Sequence, residues 1–426
     1  MKTAAWPLAW RILFRFVFCY VALFAVHTVD GIVDLLAYDI GIGFGITALP
    51  ESMLHALIPW IGANVLHLGT PITIFTNGSG DTTFDWVLVA TNLAIAAVAA
   101  IVWSMLDRHR LEYERLWTWL QYGARMLLAA ELLSYGLDKV IPLQFGILTP
   151  SRAIMPFGFE NRMGVLWDFM AASPVYTVFA GAAETLGGIL LLFPRLATLG
   201  ALVAFGCMVN VFVLNIAYDV PVKIFSLHLA LLAVLVLVPA LPRLADLLVR
   251  ARPADALVVK PLIDGGRRDA LLMYATLVAF AFFTTFTIVG GLRGLAGRSS
   301  YADPTAPLYG MWRVESFEPR HAAPDSVPDD KRWQWLAIDS TAYGAIVYAD
   351  GVQQPVSLAY DPATRVLALY RSREGASEAR FTVTPTRGGD SILDGDLGGD
   401  PIRIRIVRVP ISLMEQGIHL VKEHAY

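Results

Sequence analysis

The stretch Val175 to Phe193 reads VYTVFAGAAETLGGILLLF. It is nineteen residues long, almost wholly apolar, and interrupted by one charge, Glu184, at its centre. About 20 apolar residues are needed to cross a bilayer, so the stretch reads as a membrane helix. A carboxylate at its middle is expensive there and by default marks a function. Comparable apolar stretches recur near 8–28, 84–106, 117–140, 197–217, 222–240 and 269–291, so the chain reads as a bundle of about seven membrane helices. Lys2, Arg11 and Arg15 ahead of an apolar run also fit a signal peptide, but no small-residue cleavage site follows, so a retained helix is expected.

The whole chain of 426 residues is 56% hydrophobic and 16% charged, with a net charge of −3. Its mean hydropathy is +0.55. These values exclude a disordered chain and argue against a nucleic-acid partner. The charge is unevenly spread: 39 charged residues fall in 1–299 and 30 in the much shorter 300–426. The last part therefore has the composition of a water-exposed domain. The only cysteines, Cys19 and Cys207, lie in apolar runs and form no CxxC pair.

No Lys or Arg occurs between Arg15 and Arg108, whereas Arg108, Arg110 and Arg115, and later Arg250, Arg252, Lys260 and Arg267, crowd two connections. The bias of Lys and Arg toward the cytoplasm puts those two connections inside and the loop 29–83 outside. Seven crossings then give a bacterial inner-membrane protein with a cytoplasmic N-terminus and an extracytoplasmic C-terminal domain. Within the loop, 51–68 has the apolar spacing of an interfacial amphipathic helix with Trp60 as anchor. His55 and His67 would lie about 18 Å apart on it, too far for one metal. Asn77 to Thr83 reads as a tight turn or an anion-binding backbone nest. Thr82 with Asp85 fits a capping box for the next helix.

The charges inside spans carry the functional reading. Glu131 lies in the third span and Glu184 in the fourth, each about 14 Å below the outer end. Lys139, next to Tyr135, ends the third, and Lys223 and His228 open the sixth after Asp219. These residues fall in the outer half of three helices, which suggests one polar site. Glu131 and Glu184 are the candidate catalytic carboxylates, as proton relays with shifted pKa values. Lys139, Lys223, His228, Tyr135 and Asp219 are the candidate ligand-binding residues. The structural alternative pairs Glu131 with Lys139 or Lys223 to fix helix packing. Glycines beside Glu184 would let helices approach closely under either reading.

Residues 300–426 read as all-β. The alternation is clean over Ile402 to Val409, and short strands are expected at 310–317, 343–349, 354–360, 365–370 and 379–384, divided by Gly, Asp and Pro turns. Regular short strands favour a meander closed into a small barrel. Gly310-Met311-Trp312 resembles the Gly-x-Trp of lipocalin-type barrels, where an Arg of the last strand, here Arg408, covers the Trp. Such a barrel is either open to an apolar ligand or solid. His419 and His424 have no metal spacing of their own.

Residues 120–240 also resemble the DoxX-like family of four-helix membrane proteins. Gly136, Lys139, Pro142, Gly181, Glu184, Gly187, Gly188, Gly200, Ala201, Lys223 and His228 carry the likeness. The whole chain is similar to a longer bacterial subgroup, through the Asn77–Thr83 turn, the Asp107–Arg110 loop, Gln144-Phe145 and Tyr218 to Lys223. The resemblance implies a four-helix core at 117–240. Before it stand two helices and a long loop, 1–116; a basic connection and seventh helix, 241–299, and the β domain, 300–426, follow. It further implies an accessory or subunit of a quinone-linked membrane oxidoreductase, with a quinone as cofactor and a partner protein as electron donor. Two other readings stand beside it. One is a non-enzymatic membrane protein whose β domain captures a lipid or partner. The other, a transporter, is weakened because no inverted repeat is visible.

Overall fold

The computed structural model describes residues 5–40, 48–74, 80–255, 258–263, 265–298, 301–321, 327–370, 378–386 and 389–411, with backbone alone for 30–40 and 48–51. Asn77, Gly78, Ser79, His419 and His424 lie outside the described residues. The helices are α1 (Leu8–Ile40), α2 (Ala48–Asn64), α3 (Thr83–Leu106), α4 (Glu114–Val140), α5 (Pro150–Ala153), α6 (Arg162–Ala172), α7 (Pro174–Leu192), α8 (Ala197–Ala217), α9 (Lys223–Leu237), α10 (Leu241–Leu248) and α11 (Arg267–Arg298). Two compact units form: Met1–Val140 with Phe179–Gly290, and Ile141–Val178 with Gly291–Tyr426.

All seven expected long helices are present. Six described stretches are long and apolar enough to cross a membrane: Leu8–Val29, Thr83–Leu106, Pro174–Leu192, Ala197–Ala217, Lys223–Leu248 and Arg267–Gly297. The helix left out is α4, whose charged residues lower its hydropathy. Its residues Ala124, Leu128, Ala129, Leu132 and Leu133 are fully buried in protein, so it meets helices where a span usually meets lipid.

The packing around α4 is set by glycine. A Cβ on Gly136 would lie 2.7 Å from the backbone nitrogen of Thr185 and 2.8 Å from the carbonyl of Gly181. A Cβ on Gly181 would lie 2.5 Å from the carbonyl of Gly136. The backbones of α4 and α7 therefore touch where no larger residue fits. On its other side α7 meets α8: a Cβ on Gly200 would lie 2.8 Å from the nitrogen of Leu191. Apolar side chains from α4, α7, α8 and α9 fill the core between these contacts.

Polar residues join the ends. Thr82 and Asp85 form the capping box that the sequence suggests for α3. Asp81 accepts hydrogen bonds from the backbone nitrogens of Lys223 (2.8 Å) and Ile224 (2.9 Å), so it caps the N-terminus of α9. The helix expected over 51–68 is α2, which ends at Asn64, and His67 follows in a left-handed conformation (φ 50°) rather than on the helix. Arg15, the last basic residue before the long stretch without Lys or Arg, is fully buried and donates to the Tyr113 hydroxyl, to Ser104 and to the Asp107 carbonyl. Its guanidinium thereby ties α1 to α3 and to the turn after it.

In the second unit eight antiparallel strands close in chain order into a barrel. They are β1 (Gly310–Pro319), β2 (Trp333–Ile338), β3 (Tyr343–Tyr348), β4 (Gln353–Asp361), β5 (Val366–Tyr370), β6 (Ala379–Pro385), β7 (Ser391–Leu397) and β8 (Asp400–Val409). Closure comes from β1 pairing with β8, which removes every free sheet edge. Two strands are absent from the sequence reading. In β2, Leu336, Ala337 and Ile338 are all buried and the alternation is lost. In β7, Asp394-Gly395-Asp396 are residue types that strands disfavour. Trp312 is buried, donates to the Leu308 carbonyl at 2.9 Å, and stands opposite Arg408 in the register. The Arg408 side chain lies against Gly310, whose φ of 141° is a glycine conformation.

The connection after α4 belongs to this unit. Asp339 accepts from the Ser151 backbone nitrogen (2.8 Å) and hydroxyl (2.5 Å), and Gln353 donates to the Ser151 carbonyl (2.9 Å). Burial pushes the Asp339 carboxyl up, partly offset by the bonds from Ser151.

Two outcomes follow from this packing. Gly181→Ala should destabilise the bundle by about 1–3 kcal/mol, because overpacking must separate two backbones; detergent-solubilised melting of the full chain measures it. For Asp339 the folded pKa exceeds the unfolded one, so its contribution to stability is complete below the unfolded value of about 3.9 and is lost as pH rises through the folded value. The barrel's melting temperature should decline over that window, and Asp339→Asn should flatten the decline.

Candidate functional site

The stripe Glu131, Tyr135, Lys139 repeats every four residues and so lies along one side of α4. Glu184 reaches this stripe from α7 because the Gly136–Gly181 contact brings the two helices together. Lys139 Nζ is 2.7 Å from Glu184 Oε2, and both side chains are almost fully buried. Lys139 also donates to the Tyr135 carbonyl at 3.3 Å and lies 5.7 Å from the centre of the Tyr135 ring.

This pairing corrects one expectation from the sequence. Lys139 pairs with Glu184, not Glu131, and Lys223 pairs with Asp219 (2.9 Å) and Asp81 (3.6 Å). Glu131 and Lys139 are two turns apart, about 12 Å along one helix, too far to bridge. Glu131 is 6% exposed, yet among the described residues no hydrogen bond or ion pair reaches it.

The seven candidate residues thus fall into three groups. Glu131, Tyr135, Lys139 and Glu184 form one. His228 forms another with α1: its Nδ1 donates to the Ile224 carbonyl (2.7 Å), and in the neutral ring Nε2 accepts from the Tyr20 hydroxyl (2.6 Å). The imidazole also stacks on Phe24, with centroids 4.7 Å apart. Lys223 and Asp219 form the third with Asp81, at the turn between α8 and α9. Phe225 stands between the first two, 5.9 Å from the Tyr135 ring and 6.2 Å from that of Phe24.

Three residues were not singled out from the sequence. Tyr20 and Asp81 carry no pattern that reveals their long-range partners. Arg125 carries one: it is a charge within the expected span 117–140, and the rule that picks out Glu131 picks it out too. Among the described residues no three His, Cys, Asp or Glu side chains come together as a metal site.

Chemically, the first group offers a salt bridge whose charges are already matched and one carboxyl with no partner. The pair can hold helices; the lone carboxyl can exchange a proton or receive a hydrogen bond from a ligand. The two roles separate by substitution. Glu184→Gln leaves a buried ammonium without its counter-charge and should cost about 3–5 kcal/mol in a detergent unfolding titration. Glu131→Gln breaks no bond and should change stability by less than about 1 kcal/mol. The pair Lys139→Met with Glu184→Leu should recover most of the loss.

No family model and no solved structure matches the chain. It is similar to the protein called uncharacterized protein YwoB of Bacillus subtilis (strain 168). The two are 37% identical over 114 residues, which is 26% of this chain and 71% of the Bacillus one.

Proposed function

The chain belongs to the family of that Bacillus protein, and from this premise we propose that it is an integral membrane protein whose barrel holds an apolar ligand with a polar end. The observation that carries this reading is a cavity of about 360 Å³ inside the barrel. Pockets of about 300–1,000 Å³ suit small organic ligands. Trp333, Ile346 and Val356 supply an apolar wall. Tyr348 donates to Gln354 Oε1 at 2.9 Å, which orients the amide and leaves its N–H groups free to donate to a ligand carbonyl. Lys331 is exposed at the cavity, beside Asp330. A lipid acid, an ester or a quinone has this division between apolar body and polar end.

A second reading rests on Glu131. A buried carboxyl without a partner, two turns from a matched ion pair, suits proton exchange with a quinone within the bundle. It is the role that the likeness to DoxX-like proteins implies, as a subunit of a membrane redox system. The chain has no CxxC pair and no dinucleotide fingerprint, so a partner protein would deliver the electrons.

Binding to the full-length protein separates the two. Decylubiquinone and cis-parinaric acid are titrated while Trp fluorescence is followed. Val356→Phe narrows the barrel cavity and should weaken binding by about tenfold or more, with the melting temperature retained. Glu131→Gln should leave that binding unchanged. If Val356→Phe has no effect and Glu131→Gln abolishes decylubiquinone binding, the bundle is the ligand site and the barrel reading fails.

A further inference from the structure

A second cavity, of about 620 Å³, lies in the helical unit at the end opposite Lys223. It is bounded by α4, α9, α10, the chain at 258–262 and the start of α11. Three cations line it: Arg125, Arg243 and Lys260. Lys260 is held by Glu114 at 2.5 Å. Arg125 and Arg243 have no hydrogen bond or ion pair among the described residues, and Arg125 Nε is buried with nothing to donate to. The Arg125 guanidinium lies 5.5 Å from the centre of the Tyr122 ring.

Arg125 stands eleven residues into α4, about 16 Å along its axis from Glu114. A guanidinium at that depth is costly unless something answers its charge. The one carboxylate in the lining, Asp269, accepts from the backbone nitrogens of Leu262 (2.8 Å) and Ile263 (2.9 Å), which occupies it as a cap. Neutral donors nearby are also engaged: Gln121 bonds the Leu235 carbonyl, and Tyr122 bonds Thr276. The wall between the cations is apolar, with Trp117, Val236 and Met273. Two uncommitted arginines above an apolar slot match a phosphate group carried on an aliphatic body. Arginine binds phosphate oxygens in a fork geometry, and basic pockets between membrane helices hold anionic headgroups.

We propose that this cavity binds the phosphate group of an anionic amphiphile, between Arg125 and Arg243, with its acyl chains along Trp117, Val236 and Met273. This site is separate from the barrel cavity and does not depend on the barrel's ligand.

Native mass spectrometry of the full-length protein tests it, with phosphatidylglycerol and phosphatidylcholine of identical chains as probes. Each cation near an anionic headgroup contributes about fivefold, so phosphatidylglycerol adducts should exceed phosphatidylcholine adducts by about fivefold or more. Arg125→Gln and Arg243→Gln should each reduce the excess about fivefold, and the double variant should abolish it. Arg125→Lys should keep part of it, which shows that the charge rather than the fold is responsible. Arg403→Gln, at an exposed barrel position, should leave it intact. Equal adducts with both lipids, or an undiminished excess in the double variant, overturns the proposal. Millimolar inorganic phosphate identifies the source. Loss of lipid adducts with phosphate shows that the phosphate group alone is recognised; retained adducts that still require both arginines show that the lipid is.

Discussion

The helical unit depends on one close approach, the backbone contact of α4 with α7 at Gly136 and Gly181. Each residue leaves no room for a Cβ on the other side, so the axes come nearer than side chains would permit. That proximity has a chemical consequence three residues further along each helix, where Lys139 and Glu184 meet at 2.7 Å. A buried pair of this kind adds little net stability over apolar packing, but breaking it is costly. It therefore enforces the one register in which both charges are answered. The remaining helices pack around this junction, α8 through Gly200 and α9 through the apolar core.

Several polar side chains of the bundle are consumed in holding it together. Arg15 joins α1 to α3, Asp81 caps α9, and His228 is fixed by Tyr20 and its own helix. Against that background Glu131 and Arg125 stand out, since both are charged and neither has a described partner. They lie on the same helix, six residues apart, and belong to different surroundings: Glu131 beside the ion pair, Arg125 in a lined cavity. The barrel repeats the pattern in water-exposed form. Its core is packed with apolar residues, and one cavity with an oriented amide is left open.

Legibility followed the range of the physics. Hydropathy is local, so each long helix was readable as an apolar stretch, α4 included, but not where it ends: α1 runs on to Ile40 and α11 to Arg298, well past the expected 28 and 291. The end of α2 was misplaced because a left-handed residue such as His67 leaves no hydropathy trace. Six strands showed alternation or turn signals. The other two, β2 and β7, did not, since consecutive burial and an Asp-Gly-Asp stretch erase the pattern that alternation relies on. At the site, the residue types were legible, but pairing was not. Glu131 and Glu184 look alike in sequence, and only the position of the Gly136–Gly181 crossing decides which one receives the lysine.

By itself, then, the sequence determined the solvent of each part: a charge-poor chain that forms membrane helices, a charge-rich end that forms a β domain, and a few costly charges inside the helices. These follow from composition and periodicity, which are properties of short windows. Tertiary structure alone decided which charges neutralise each other, that residues 141–178 pack with the barrel unit, and that Arg125 faces a cavity. Those outcomes depend on contacts between residues far apart in the chain, and the geometry of such contacts is set by how closely two backbones can approach.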